Sequence, residues 1–251
     1  MQNYNFLDLD KFNDYIKIFN EYNYEYNKKN HSLNYLNSIH KKLRRLDIRF
    51  RLTLGFQVNF DNKISRTRHE LTNKTYILIY KINDLWFVYE VFYKTVHDFN
   101  ILNFDGDRSK IIGSFGKDIL EMTKISEILN DFNSKLYKYY NSTSRKQDFQ
   151  KFILSLNPSE GDNKYNYLVK KFKNNQNMEI KDIINLVYGN RNNFVHTDSF
   201  GTTALSGVNN YRTKIKIFEL SYEVLVNILY ECLTYLLRLQ IQRIKNSTKL
   251  I

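Results

Sequence analysis

The residues of this sequence with the clearest chemical potential lie close together, between positions 183 and 198. An apolar helical pattern over residues 183–188 is followed by the polar side chains of Arg191, Asn192 and His196. Arginine supplies a permanent cation, and histidine supplies an imidazole that gains or loses a proton near neutral pH. A fixed cation beside a titratable base suits chemistry at a phosphodiester.

The spacing of these three residues sets a geometric condition on such a site. At about 100° per residue, Asn192 and His196 share one face of a helix. Arg191 and His196 lie about 140° apart around the helix and about 7.5 Å apart along its axis. One helix does not easily direct both side chains at one phosphate, whereas two copies related by a twofold axis can. The spacing therefore predicts a homodimer in which the helix ends face each other.

Other motifs that begin like known sites lack the residues they require. Residues 105–109 start like a calcium loop, but Lys110 stands where the loop needs glycine. Residues 113–117 have neither the glycine spacing nor the following hydroxyl of a phosphate loop. Cys232 lies in an apolar stripe, which favours a core role. The other histidines have no ligand partner at a recognised spacing: His31, His40, His69 and His97. We expect neither a metal site nor a cofactor.

The charge of the chain gives a second indication of its partners. The 251 residues include 38 Lys and Arg against 26 Asp and Glu, a net charge of +12. This favours a polyanion, with nucleic acid the leading candidate and an anionic membrane the other. Planar guanidinium groups suit phosphate recognition. The candidate nucleic-acid-binding residues are Arg44, Arg45, Arg49, Arg51, Arg66 and Arg68. A solvated helix face followed by a loop explains the same cluster without a ligand.

The hydrophobic pattern predicts a mainly α protein, a helical bundle with a long C-terminal helix. Apolar residues recur at helical spacing in 6–28, 32–50, 117–140, 145–156, 163–173, 178–196 and 214–245. Residues 49–60 alternate at period two, which indicates a short strand or an extended arm near 50–60. Residues 68–100 contain a strand-like run and a turn-like Asn83-Asp84. Their apolar residues nevertheless continue at steps of three and four through that turn, which predicts one long helix or two nearly continuous ones.

We interpret residues 1–251 as a single helical domain, with 1–66 as a candidate N-terminal helical and basic extension. A hydrophobic fraction of 42% excludes intrinsic disorder. One cysteine excludes a disulfide framework. The N-terminal residues lack the pattern of a signal sequence, and no stretch reaches about 18 uncharged apolar residues. We therefore expect a cytoplasmic protein without a membrane partner.

Two segments of the sequence resemble one known family. Residues 191–196, Arg-Asn-Asn-Phe-Val-His, fit the R-x4-6-H signature of HEPN domains (higher eukaryote and prokaryote nucleotide-binding), including the polar residue that follows the arginine. The aliphatic positions and Tyr188 before it match the usual lead-in of the family. Residues 85–90, Leu-Trp-Phe-Val-Tyr-Glu, resemble an earlier core helix of some HEPN families. The resemblance is specific over 183–198.

The resemblance implies a helical bundle that dimerises along the helix bearing the motif and, in many members, a metal-independent endoribonuclease. Arg191 would then bind the scissile phosphate, His196 would transfer a proton, and Asn192 would orient one of them. The products would be a 2′,3′-cyclic phosphate and a 5′-hydroxyl. Small bacterial HEPN proteins often act as toxins or antiviral defence effectors, so the resemblance also implies RNA as substrate and an antitoxin protein as a candidate partner.

Two further functions compete with this interpretation. One is a non-catalytic dimeric HEPN module that binds RNA or a protein partner. The other is an all-helical protein without a nucleic-acid role, in which Arg191 and His196 simply cap a helix C-terminus, where cations are favoured. The second alternative leaves the arginine cluster between positions 44 and 68 unexplained.

Overall fold

The computed structural model describes residues 8–28, 34–56, 70–98, 124–156, 163–196 and 211–246. Every regular element in these ranges is an α-helix, which confirms the mainly α prediction. The helices are α1 (Leu9–Lys28), α2 (Asn34–Gly55), α3 (Glu70–Asp98), α4 (Ile125–Tyr139), α5 (Thr143–Ser155), α6 (Asn163–Lys173), α7 (Ile180–His196) and α8 (Tyr211–Asn246).

Helix α8 forms the centre of the bundle and contacts α1, α3, α4, α5 and α7. Lys11 in the first turn of α1 donates a hydrogen bond to Asn227 (3.0 Å), and Lys245 near the end of α8 donates one to Glu21 (2.8 Å). These contacts show that α1 runs parallel to α8. The apolar residues of α8 are buried along its length, including Phe218, Leu225, Leu229, Leu233, Leu237 and Ile241.

The segment Ile215–Asn246 is also long and apolar enough, by length and composition, to cross a membrane. Of its most apolar 18 residues, 72% are buried inside the protein. The core helix of a folded domain meets the same criteria, because it too must be apolar around most of its circumference. The packing of α8 among five other helices accounts for its apolar length.

Helix α2 continues to Gly55, so the prediction of a strand or extended arm near 50–60 is wrong over 50–55. Residues 57–60 lie outside the described residues. Phe50 is 0% exposed and Leu54 is 5% exposed, whereas Leu52 between them is 67% exposed. A strand would place all three on one face, but a helix separates Leu52 from the other two. Phe50 packs edge-on against Tyr15 of α1 at 5.4 Å, so burial against α1 favours the helix.

Helix α3 runs without interruption for 29 residues, which confirms the long-helix prediction for this region. Its buried apolar residues follow steps of three and four: Leu78, Ile82, Leu85, Tyr89, Phe92 and Val96. Asn83, the first residue of the supposed turn, donates a hydrogen bond to the backbone carbonyl of Ile79 (2.9 Å). The side-chain N–H of Asn83 is therefore accommodated within the helix, since it is hydrogen-bonded one turn back.

An ionic network centred on the buried pair Lys171 and Asp182 holds the start of α7 against the end of α6. Lys171 donates hydrogen bonds to Asp182 (2.6 Å) and Glu179 (3.0 Å). Asp182 also accepts the backbone N–H of Glu179 (2.9 Å), which satisfies one of the free amides at the helix start. Burial lowers the pKa of Lys171, but its hydrogen bonds to the two carboxylates outweigh this and raise the pKa well above its ordinary value. The ammonium group therefore remains charged in the fold.

A pair of hydrogen bonds fixes the backbone just before α7. The side-chain oxygen of Asn133 accepts the N–H of Met178 (2.7 Å), and its amide nitrogen donates to the Met178 carbonyl (2.9 Å). Both polar groups of one backbone unit are thus satisfied by one buried side chain. Together with the Lys171 network, this pair fixes where α7 begins and hence where its C-terminal motif lies.

Candidate functional site

Helix α7 passes through the lead-in to the motif without a break, although Gly189 and Asn190 are weak helix formers. A Cβ on Gly189 would lie 2.7 Å from the Tyr165 hydroxyl and 3.1 Å from the Leu156 side chain. Asn190 donates a hydrogen bond to Ser221 of α8 (3.2 Å). Close packing against three neighbouring segments therefore accounts for both residues.

The described part of α7 is almost completely covered by its own chain. From Asp182 to Asn190 every residue is buried except Tyr188, which is half-buried. Ile183, Ile184 and Val187 are each at most 1% exposed. Over residues 182–190, only the half-buried Tyr188 therefore offers side-chain surface to a second copy.

The two segments that resemble HEPN domains pack against each other. Tyr188 of α7 lies against Trp86 of α3, with ring centroids 5.4 Å apart and an interplanar angle of 46°. Trp86 is 1% exposed, and its indole N–H donates to Glu90 (2.9 Å). An aromatic pair in this tilted arrangement contributes about 0.5–1.5 kcal/mol beyond its burial. Helix α3 thus supports the part of α7 that leads into the motif.

Arg191 and Arg49 lie over the same aromatic ring. The guanidinium carbon of Arg191 is 5.9 Å from the centroid of Phe87, and that of Arg49 is 4.8 Å from it. Arg49 is exposed, while Phe87 and Arg191 are half-buried. The sequence assigns Arg191 to the candidate catalytic motif and Arg49 to the candidate nucleic-acid-binding cluster, and the fold brings both to one ring. Phe87 is a site residue that sequence reasoning did not single out, although it lies within the HEPN-like segment 85–90.

Four predicted site residues have side chains outside the described part of the chain. Helix α7 includes Asn192 and His196, with His196 as its last residue, but their side chains are not described. Arg66 and Arg68 lie wholly outside the described residues. Their roles stay predictions.

The remaining arginines of α2 occupy two different environments. Arg51 forms an ion pair with Asp47 four residues earlier, and Asp47 is 1% exposed. Burial raises the pKa of Asp47, an effect that the hydrogen bond from Arg51 opposes. Arg44 and Arg45 are exposed. Arg49 and Arg51 are exposed as well, but the charge of Arg51 is partly committed to a buried carboxylate.

The other titratable candidates have packing roles where the structure describes them. His40 stacks on Tyr26 with ring centroids 3.7 Å apart, and His97 stacks on Tyr93. Cys232 is 0% exposed, and burial raises the pKa of its thiol well above the ordinary value. Within the described ranges, no group of three or more His, Cys, Asp or Glu side chains is placed to hold a metal ion. His31 and His69 lie outside these ranges.

A groove of about 380 Å³ opens elsewhere, between α1, α4 and α8. Its walls carry both charges, and Lys135 is bound there by Asp131 (2.7 Å) and Glu223 (2.6 Å). None of the residues predicted for catalysis or nucleic-acid binding lines it. The groove is therefore separate from the candidate site, which is a surface feature around Phe87.

Comparison with known proteins identifies no relative of this chain. No protein-family model, no curated protein and no solved structure matches it. A functional interpretation therefore depends on the motif residues and on the packing around Phe87 and Trp86.

Proposed function

We propose that this protein is a metal-independent endoribonuclease of the HEPN type that acts as a toxin or phage-defence effector. The observation that carries the proposal is the packing of the two HEPN-like segments, with Tyr188 against Trp86 and Arg191 over Phe87. This packing joins the end of the motif helix to a core helix in one place. The net charge of +12 supports a polyanionic substrate.

The proposed chemistry is an internal transesterification of RNA. Arg191 binds the scissile phosphate and stabilises the negative charge that develops on it. His196 accepts the proton of the 2′-hydroxyl or donates a proton to the leaving 5′ oxygen, and Asn192 orients one of these groups. The 2′ oxygen forms a bond to phosphorus while the bond from phosphorus to the 5′ oxygen breaks. The products are a 2′,3′-cyclic phosphate and a 5′-hydroxyl.

Cleavage of RNA in excess EDTA is the first expected result, because none of the proposed steps uses a metal ion. The purified protein should convert a mixed-sequence RNA into fragments whose 5′-hydroxyl ends accept phosphate from polynucleotide kinase without prior phosphatase treatment. The measurement is gel separation of the fragments with and without that labelling step. Activity that appears only after a divalent cation is added would contradict the proposed mechanism.

A mixed dimer tests whether Arg191 and His196 act from different copies. Each proposed site takes Arg191 from one chain and His196 from the other. In a heterodimer with Arg191→Ala in one chain and His196→Ala in the other, one of the two sites therefore has both native residues. We expect this heterodimer to retain about half of the native activity, and each single-variant homodimer to be inactive. If both residues acted from one chain, the heterodimer would have no intact site. Tandem-tag purification and an RNA cleavage assay measure the difference.

A non-catalytic RNA-binding module is the second candidate function. Arg49, Phe87 and Arg191 place two cations on one ring without any contribution from His196. Such a surface can bind a phosphate but cannot transfer a proton, since guanidinium groups remain protonated. RNA binding without cleavage in EDTA or with divalent cations would favour this candidate.

For the proposed ribonuclease toxin, the protein partner that we propose is a cognate antitoxin.

A further inference from the structure

The ring of Phe87 connects two parts of the chain that sequence alone treats separately. We infer that Arg49, Phe87 and Arg191 form one phosphate-binding site, here named the paired-arginine site, in which Arg49 binds the RNA backbone beside Arg191. Arg49 is then part of the reaction centre rather than of a distant electrostatic patch. The inference rests on the proposed function for the identity of the ligand as RNA.

Two positive charges converge at the ring of Phe87. Both guanidinium carbons lie within 5.9 Å of one ring centroid, so two cations from α2 and α7 occupy one small region. The two guanidinium carbons are therefore at most about 11 Å apart. Like charges at this distance repel each other, and a phosphate bound beside them would reduce that repulsion.

The carboxylates on the facing stretches of α2 and α3 have partners other than Arg49. Asp47 is paired with Arg51, Asp84 lies 3.5 Å from the Thr53 hydroxyl, and Glu90 accepts the Trp86 N–H. Within the described residues, Arg49 has no carboxylate at ion-pair distance. Its charge is therefore available to an external anion, in contrast to the charge of Arg51.

The ring of Phe87 supports the Arg49 side chain. A guanidinium over an aromatic ring interacts through its face, which leaves the N–H donors at its edge able to form paired hydrogen bonds with phosphate oxygens. The ring also limits the motion of the side chain, so less conformational entropy is lost on binding. Phosphate is the ligand class that fits, because it accepts hydrogen bonds from two arginine forks at once.

Binding of an uncleavable RNA separates this inference from the proposed function. A 2′-O-methyl RNA oligonucleotide has no 2′-hydroxyl to attack the phosphate, so its Kd reports binding alone. We expect Arg49→Gln to raise the Kd about 10-fold, because a charge-assisted hydrogen bond is lost. The matched control is Arg45→Gln, one turn earlier on α2, which should raise the Kd less than about threefold by general electrostatics alone.

A double-variant comparison tests whether the two arginines share one ligand. Arg49→Gln combined with Arg191→Gln should raise the Kd at least about threefold less than the product of the single effects, since residues that share a partner are not additive. Arg45→Gln combined with Arg191→Gln should give the product within about twofold. Arg191→Lys, which keeps the charge but loses the planar fork, replaces Arg191→Gln if circular dichroism shows that the latter is unfolded.

The possible results of these binding experiments distinguish the paired-arginine site from the proposed ribonuclease function. Equal effects of Arg49→Gln and Arg45→Gln, a simple product in the Arg49/Arg191 pair, or absence of probe binding would each overturn the paired-arginine site. Coupled binding in a protein that cleaves no RNA would support the site and remove the proposed ribonuclease function. Cleavage of RNA by a protein in which the Arg49 and Arg191 effects simply multiply would support the ribonuclease function and overturn the paired-arginine site.

Discussion

Replacing His196 with alanine is expected to lower the rate of RNA cleavage by about 100-fold or more, which is the usual contribution of a positioned general acid or base. The Kd for RNA should change less than about twofold, because a neutral imidazole contributes little to the attraction of phosphates. Single-turnover cleavage and fluorescence anisotropy on the same RNA measure the two quantities. The variant should therefore lose turnover and keep affinity.

His97→Ala is the matched control for this prediction. His97 is a half-buried histidine on α3 that stacks on Tyr93 and belongs to no predicted site. Its replacement should leave the cleavage rate unchanged. A His196→Ala protein that cleaves RNA at the native rate would contradict a role for this residue in proton transfer. An equal loss of affinity and rate would assign it to binding instead.

Replacing Lys171 with methionine is expected to destabilise the protein by about 3–5 kcal/mol, the usual result of removing one partner of a buried ion pair. Lys171 is 6% exposed and Asp182 is 5% exposed, so the carboxylate of Asp182 would remain buried without its cation. Because Asp182 also holds the backbone amide of Glu179, the start of α7 should loosen first. Urea unfolding followed by circular dichroism measures the loss of stability.

Two further variants test the cause of that loss. Lys170→Met changes an exposed neighbour on the same helix and should alter stability by less than about 0.5 kcal/mol. Combining Lys171→Met with Asp182→Asn removes the buried charge but keeps an oxygen that accepts the Glu179 amide. This double variant should recover at least half of the lost stability. A double variant as unstable as Lys171→Met alone would show that packing, rather than an unpaired charge, causes the effect.

The helices were predictable because the period of apolar residues is a local property of the chain. Residues 68–100 were predicted as a continuous helix from steps of three and four, and α3 confirms this. The same reasoning failed at 50–55, where Phe50 and Leu54 fit period two and helical spacing equally well. The ambiguity is physical, since residues four apart lie on one face in both structures. Burial of Phe50 against Tyr15 decides between them, and that contact joins two different helices.

The sequence alone determined the helical class, the net charge and the position of Arg191, Asn192 and His196 at the C-terminal end of one amphipathic helix. Only the tertiary structure brought Arg49 and Arg191 to Phe87, buried the Asp47 that pairs with Arg51, and covered the body of α7. The reason is that hydrophobic period reports contacts between residues three or four apart. Arg49 and Arg191 are far apart in the chain, so their proximity depends on how α2, α3 and α7 pack, which no local pattern encodes.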